Sequence, residues 1–347
     1  MLAANGHAVM FVGLYTTKEN ILLAKGAENL DLGGRKTALD MGLLLRLIKL
    51  IKKEKPDIIQ ANGSDTLKYA AFAKLFFPKL NLVYRNISMV SAWTKEASLK
   101  LKINRLLFKK VDRVTSVGQQ PMEDLVRTYG YPLDKTKLIR RGIPRFDYDA
   151  AAARKKIVKE FGLPATDFIV AHIGQFSPEK NHVFLIESFE RVLAQDHHVR
   201  LLFIGEGKQY AAIKELVQNK NLDKHILFAG YRQHVQELLA GSDLFVLGST
   251  IEGVPGVVLE AGMQSLPTVA VNVGGVGEVV MNAETGILLE KHDPIAFGNA
   301  IVSLLHDETL RRALGDNAKK FVVENYSLQY CLAEFESLYA AILKEKR

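Results

Sequence analysis

One loop of this sequence combines glycines, a proline and two glutamates in a spacing that suits the binding of an anion. Residues 248–263 read GSTIEGVPGVVLEAGM, and the glycines and the proline at positions 253–256 predict a turn. The apolar run that follows predicts the start of a helix, so the backbone N–H groups of Gly256, Val257 and Val258 are expected to be free. Because a helix N-terminus acts as about half a positive charge, this segment predicts a phosphate site.

Two carboxylates and one ammonium group are expected around that site. Glu252 precedes the predicted turn, and Glu260 lies one helical turn after the start of the predicted helix. There the Glu260 carboxylate can accept hydrogen bonds from sugar hydroxyls. Lys180 lies in the segment GQFSPEKN after another predicted strand, where its charge can neutralise a phosphate. The loops at Gly205 and Gly274 do not complete the pattern G-x-G-x-x-G, so the sequence disfavours a nicotinamide-dependent enzyme.

The sequence gives no sign of a metal centre. The histidines at positions 172, 182, 197 and 198 have no partners at metal-ligand spacing, and surface or satisfied core histidines are expected instead. The Asp147-Tyr148-Asp149 triplet matches a metal-binding D-x-D pattern, but it lies in a connector and not after a nucleotide-binding strand. We therefore expect neither a metal nor a bound cofactor.

Short apolar or β-branched segments alternate with amphipathic segments along most of the chain, which is typical of parallel βα units. The predicted strands are 8–12, 57–61, 80–85, 113–117, 137–139, 168–173, 199–204, 226–229, 244–247, 268–271 and 286–289. This pattern predicts an α/β protein of two Rossmann-like, doubly wound domains that face each other across a cleft. A connector at 140–149 places the boundary between residues 146 and 147, and a final amphipathic helix covers 328–347.

Composition narrows the class of protein further. The chain has 347 residues, 48% of them hydrophobic, and no apolar run approaches the ~20 residues that cross a bilayer. One cysteine, Cys331, excludes an internal disulfide and favours a reducing compartment, so a cytoplasmic location is expected. Residues 1–147 hold 26 Lys and Arg against 13 Asp and Glu, whereas the remainder is net acidic. Such a basic half can attract anionic lipid, nucleic acid or phosphorylated substrates.

The segment EGVPGVVLEAGMQSLPTVAVNVGGVGEVV resembles the retaining glycosyltransferases of the GT4 type, which have the GT-B fold. The E-x7-E spacing, the glycines inside it, the Lys180 loop and the ending GILLEKHDPIAFGNAI carry the resemblance, which is strong over residues 110–347 and looser before them. It implies transfer of a sugar from a nucleotide-diphosphate sugar to a hydroxyl group, with retention at the anomeric carbon. It also implies that residues 1–146 hold the acceptor, that residues 147–327 bind the donor, and that the C-terminal helix crosses back to the first domain.

The resemblance also implies a role for each site residue. Glu252 would contact the donor sugar as the catalytic residue, and Glu260 would bind the ribose. Lys180 and the amides at the start of the helix, among them those of Gly256, Val257 and Val258, would bind the diphosphate. The base would lie near Gly230, Tyr231 and Arg232.

Two departures from the family pattern lower the turnover that we expect. The family usually has an arginine on the diphosphate where this chain has Gln175. The family also opens with a strand and a glycine-rich turn, and residues 2–9 match the end of the helix that normally follows them. Two alternatives therefore stay open: a catalytically weak subunit that binds a sugar nucleotide, and a nucleotide-sugar epimerase of similar architecture.

A helix predicted within residues 93–110 bears on the acceptor. Leu99, Ile103, Leu106 and Leu107 form one face, and Lys102, Arg105 and Lys109 form a stripe along its flank. A stripe of this kind is either a solvated edge or a contact with anionic membrane, where each cation contributes about 1 kcal/mol. The membrane alternative favours a lipid-linked or polysaccharide acceptor and a peripheral position on the inner face of the membrane. Nucleic acid is disfavoured, because the sequence contains no recognised nucleic-acid-binding module.

Overall fold

A computed structural model describes residues 2–15, 26–35 and 37–345 of the chain. The chain divides into two compact units. The N-terminal unit comprises Met1–Arg140 and Gln329–Arg347, and the C-terminal unit comprises Arg141–Leu328. The division falls between residues 140 and 141, a few residues before the position expected from the sequence.

The N-terminal unit contains two parallel sheets among its described residues. The first pairs β1 (Met10–Tyr15) with β2 (Glu28–Gly34), and the second has the order β3-β4-β5-β6. The strands of the second sheet are Ile58–Asn62, Asn81–Asn86, Arg113–Ser116 and Thr136–Leu138. The sequence did not predict β2, and the strand predicted at 8–12 begins and ends later. One edge of β1 and one edge of β3 have no strand partner among the described residues.

Four helices from the described part of the first 140 residues flank these sheets, and the C-terminal helix joins them. The four are α1 (Met41–Glu54), α2 (Ser64–Phe76), α3 (Leu99–Phe108) and α4 (Gln119–Tyr129). The carboxylate of Asp40 caps α1 by accepting a hydrogen bond from the N–H of Leu43. A single apolar cluster includes residues of α1, α2, β1 and β3, so the two helices pack on both sheets.

The C-terminal unit holds one six-stranded parallel sheet with the order β12-β11-β10-β7-β8-β9. Its strands are Phe168–Ile173, Val199–Ile204, Ile226–Gly230, Leu244–Leu247, Thr268–Val271 and Gly286–Leu289, numbered β7 to β12. Its helices α5 to α11 are Ala150–Phe161, His182–Leu193, Tyr210–Asn219, Val235–Ala240, Gly256–Met263, Pro294–His306 and Glu308–Asn325. Every residue of β7, β10 and β11 is buried, because helices cover both faces of the sheet.

The last helix, α12 (Leu328–Lys344), packs in the N-terminal unit. Its buried side chains Phe335, Leu338 and Ile342 share a cluster with Val83 and Ile139. The hydroxyl of its Tyr339 also donates a hydrogen bond to the side chain of Gln60 at 2.6 Å. Among the described residues, no helix is both long enough and apolar enough to cross a membrane.

The fold class predicted from the sequence is therefore confirmed as an α/β protein with two parallel-sheet units. The N-terminal unit differs in one respect, because its described strands form two sheets and not one.

Candidate active site

The loops that follow β7, β8, β10 and β11 lie at one edge of the six-stranded sheet, because the strands are parallel. Two glycines allow these loops to approach closely. A Cβ on Gly205, which has a φ of +143°, would lie 2.0 Å from the carbonyl oxygen of Gly174. A Cβ on Gly275 would lie 2.3 Å from the carbonyl oxygen of Gly253, to which the Gly275 N–H donates at 2.7 Å. Larger residues would push the loops apart.

The closest pairing of the predicted site residues joins Lys180 to Glu252. Lys180 ends a short 3-10 turn after β7, and the N–H of Thr250 donates to the carbonyl oxygen of Glu179 at 2.8 Å. This contact holds the two loops together, and the ammonium of Lys180 donates to Oε1 of Glu252 at 2.6 Å. The Glu252 side chain is only 9% exposed. A carboxylate buried to this extent needs a charged partner, and Lys180 provides it.

The helix α9 begins at Gly256, four residues after Glu252, and no side chain caps its start. In the described part of the chain, the N–H groups of Gly256 and Val257 have no acceptor. The N–H of Val258 differs from the expectation, because it donates to the carbonyl oxygen of Pro255 at 3.2 Å. The start of the helix therefore presents two free donors and the positive end of its dipole.

Glu260 lies one turn into α9 and is partly buried. It accepts a hydrogen bond from Nε2 of Gln236 at 3.3 Å. Burial raises the pKa of the Glu260 carboxyl above its ordinary value, and the nearby Arg141 guanidinium and the Gln236 hydrogen bond partly oppose this shift. Sequence reasoning missed both Arg141 and Gln236. The connector that contains Arg141 is visibly charged, but no pattern in the sequence links Arg141 to the start of α9.

Gly230, the first of the three residues predicted near the base, ends β9, and the other two, Tyr231 and Arg232, differ in whether a ligand can reach them. The Tyr231 side chain is solvent-exposed, so its ring has a free face for stacking. Arg232 forms an ion pair with Glu160 near the end of α5. A ligand that uses the Arg232 guanidinium must therefore share it with Glu160.

Two of the four histidines considered from the sequence are buried below the Lys180 loop, whereas His197 and His198 are exposed. Burial lowers the pKa of His182 to about 4 and that of His172 well below its usual value, and the positive charge of Lys180 acts in the same direction. Both rings are therefore neutral at pH 7. The ring of His182 stacks on Phe176 with centroids 4.1 Å apart. Within residues 2–15, 26–35 and 37–345, no three His, Cys, Asp or Glu side chains are grouped so that they could hold a metal ion.

These groups can neutralise a bound anion and position a polar ligand beside it. Lys180 and the free amides of α9 supply positive charge and donors, and Glu252 and Glu260 supply acceptors for hydroxyl groups.

Comparisons with known proteins agree with this chemistry. The model of the glycosyl transferases group 1 family matches residues 153–321, and that of glycosyltransferase family 4 matches residues 1–145. The capsular polysaccharide biosynthesis glycosyltransferase CapM from Staphylococcus aureus is 32% identical over 322 residues, which cover 88% of this chain and 82% of that protein.

A second relative and a solved structure extend the comparison. The UDP-Gal:α-D-GlcNAc-diphosphoundecaprenol α-1,3-galactosyltransferase from Escherichia coli is 28% identical over 88% of this chain and 81% of that enzyme. A crystal structure of HepE from Anabaena with UDP and glucose matches with a TM-score of 0.77 and 22% identity, over 90% of this chain and 85% of that one. The chain therefore belongs to the GT4-type glycosyltransferases, which have the GT-B fold.

Proposed function

We propose that this glycosyltransferase moves a hexose-type unit from a nucleotide-diphosphate sugar to a hydroxyl group of a lipid-linked or polysaccharide acceptor, with retention at the anomeric carbon. The pairing of Lys180 with the buried Glu252, four residues ahead of the free amides of α9, carries the proposal. These elements place a cation, two hydrogen-bond donors and a carboxylate at the same edge of the sheet.

In this proposal the diphosphate binds Lys180 and the amides of Gly256 and Val257. Negative charge develops on the diphosphate as the glycosidic bond breaks, so groups fixed in advance around it lower the barrier. A nucleotide-diphosphate sugar is then a co-substrate, and the proposal invokes no metal or further cofactor. The Val258 N–H already donates to the carbonyl oxygen of Pro255, so it could bind the diphosphate only by sharing that hydrogen between two acceptors.

The remaining predicted residues would fix the two ends of the donor. Glu252 would accept hydrogen bonds from the sugar hydroxyls once the diphosphate draws Lys180 away from it. Glu260 would bind the ribose, and Tyr231 would stack on the base. Arg232 would contribute at the same end while it remains close to Glu160.

Transfer of a radiolabelled sugar tests the proposal, with UDP-, GDP- and ADP-sugars as donors and lipid-linked glycans as acceptors. We expect the Lys180→Ala variant to lose about 100-fold in kcat/KM, since it removes one charge-assisted contact to the leaving group. Lys214→Ala, which removes an exposed lysine of α7, is the matched control and keeps full activity. A proton NMR spectrum of the product should show the anomeric configuration of the donor.

The same assay separates the alternatives. Donor consumption that needs no acceptor would point to a nucleotide-sugar epimerase. Binding of a sugar nucleotide without any transfer would point to a catalytically weak subunit. Equal transfer by the wild type and Lys180→Ala would contradict the roles proposed here.

We also propose that the N-terminal unit contacts an anionic membrane and that the enzyme acts on its cytoplasmic face. Three of the four apolar residues predicted on one face of α3 are solvent-exposed: Leu99 is 72% exposed, Leu106 is 61% exposed and Ile103 is 45% exposed. The fourth, Leu107, is partly buried and packs against the core of the unit. Trp93, just before the helix, is also exposed, and Lys102 and Lys109 flank the same face. An exposed apolar stripe edged by cations suits a helix that lies in the interface of an anionic bilayer.

Trp93 is the only tryptophan of the chain, so its fluorescence reports on this surface. Vesicles of phosphatidylglycerol and phosphatidylcholine should shift its emission to the blue at low salt, and vesicles of phosphatidylcholine alone should not. The Leu99→Gln, Leu106→Gln double variant should lose the shift, whereas Leu133→Gln, an exposed leucine outside α3, should keep it. If the protein does not sediment with anionic vesicles at low salt, the proposal is wrong.

A further inference from the structure

The connector residue Arg141 lies against the start of α9. A Cβ built on Gly256 would lie 2.5 Å from Nη1 and 2.8 Å from Cζ of Arg141, so the guanidinium occupies the space beside the first helical residue. Both residues belong to the C-terminal unit. The glycine is therefore required for this placement, because any side chain at position 256 would displace the guanidinium.

This is an unfavourable place for a cation. The free N–H groups of Gly256 and Val257 and the helix dipole already make the start of α9 positive. Arg141 is solvent-exposed, and its guanidinium adds a full charge there. Among the described residues, no carboxylate forms a hydrogen bond or an ion pair with it. The carboxylate of Glu260 attracts the guanidinium at longer range, and Glu260 accepts its hydrogen bond from Gln236.

An anion bound between the guanidinium and the start of α9 would neutralise this concentration of positive charge. We propose that Arg141 is a second cation for the diphosphate of the nucleotide sugar and that it binds the diphosphate together with Lys180 and the amides of α9. This inference rests on the proposed function. Gln175, where the family resemblance implies an arginine, is neutral and exposed, so the connector supplies the charge that the Gln175 loop lacks. The guanidinium suits this role because its N–H groups can bind two phosphate oxygens at once.

A structural role for Arg141 makes a different prediction. If it served only to neutralise Glu260, its loss would raise the pKa of that carboxyl further and would weaken binding of the ribose. Binding of a nucleoside, which has a ribose and no phosphate, would then suffer as much as binding of a nucleoside diphosphate. If Arg141 binds the diphosphate, only the second ligand is affected.

Calorimetric titration of the full-length protein distinguishes these roles. The ligands are UDP, GDP and ADP with their nucleosides, and the variants are Arg141→Ala and the control Arg145→Ala, which removes an exposed arginine from the same connector. We expect Arg141→Ala to bind the nucleoside diphosphate that the wild type binds with an affinity about 10- to 100-fold lower, as for the loss of one charge-assisted hydrogen bond. Its nucleoside affinity should stay within about twofold, and the control should match the wild type in both.

Three results would overturn the inference. Equal diphosphate affinity in the wild type and Arg141→Ala would show that the guanidinium does not touch the ligand. A parallel loss of nucleoside affinity would assign Arg141 to Glu260 instead. If the wild type binds none of the three diphosphates, the proposed function fails and the inference fails with it, whereas the first two results leave that function intact.

Discussion

The C-terminal unit places its six strands in one sheet, whereas the N-terminal unit divides its six described strands between a pair and a group of four. The strand β7 of the C-terminal unit is buried at every position. In the N-terminal unit, β3 has one strand neighbour and only one fully buried residue, Ala61. The residues proposed to bind the donor all lie in the C-terminal unit, on the loops and the helix α9 that follow the strands of one continuous sheet. Precise placement of several side chains requires such support.

The largest expected effect is on the free energy of unfolding, when the same substitution is made in each of the two units. Ile169 on β7 is fully buried, whereas Ile59 on β3 is partly exposed. We expect Ile169→Ala to lower the free energy of unfolding by about 3–5 kcal/mol, because it leaves a cavity in a packed core, and Ile59→Ala to cost about half as much. Hydrogen exchange followed by mass spectrometry measures this loss for peptides of each unit. Equal costs would show that β3 is as well packed as β7.

Acid should also affect the two units differently. Eight of the nine histidines lie in the C-terminal unit, and the buried His182 has a pKa of about 4 in the folded chain. Below its unfolded pKa of about 6.5, the unfolded chain binds a proton that the folded chain does not bind. Stability is therefore lost as the pH falls from about 6.5 towards 4, by about 2 kcal/mol at pH 5.

The His182→Gln variant should show a smaller loss between pH 7 and pH 5, measured by urea unfolding with hydrogen exchange in the C-terminal unit. The N-terminal unit, whose single histidine is the exposed His7, provides an internal control. An identical pH dependence in the wild type and the variant would mean that His182 does not contribute.

The smallest effect concerns the exposed face of α3. Because Leu99 and Leu106 are mostly solvent-exposed, Leu99→Gln and Leu106→Gln should each change the free energy of unfolding by less than about 0.5 kcal/mol. Urea unfolding followed by Trp93 fluorescence measures this for the N-terminal unit. A loss above 1 kcal/mol would show that these leucines pack against the protein.

The local sequence pattern was sufficient to predict those strands that are buried on both faces. The run FIVAHI is apolar and β-branched, and the sequence predicted β7 at Phe168–Ile173, where the structure has it. The strand β2 reads ENLDLGG and escaped prediction, because it has two leucines, no β-branched residue and glycines at its end. The division of the first domain into two sheets was also missed, since strand pairing is not a local property.

The sequence could indicate the candidate site only in part, where its residues lie close together along the chain. Glu252, Gly256 and Glu260 lie in one segment, and their spacing alone indicates an anion site at the start of a helix. Lys180 could be added because parallel strands end at one edge of a sheet. Arg141 reaches Gly256 across more than a hundred residues of sequence, and no local pattern reports such a contact. Its placement required the folded chain.

The central claim is that the start of α9 and Lys180 bind a diphosphate. A crystal structure of the protein soaked with the nucleoside diphosphate that it binds tests this most directly. We expect phosphate oxygens within hydrogen-bond distance of the Gly256 and Val257 amides and of the Lys180 ammonium, with the Lys180–Glu252 contact broken. Density for the diphosphate elsewhere, or an unchanged Lys180–Glu252 pair beside an empty helix terminus, would contradict the account.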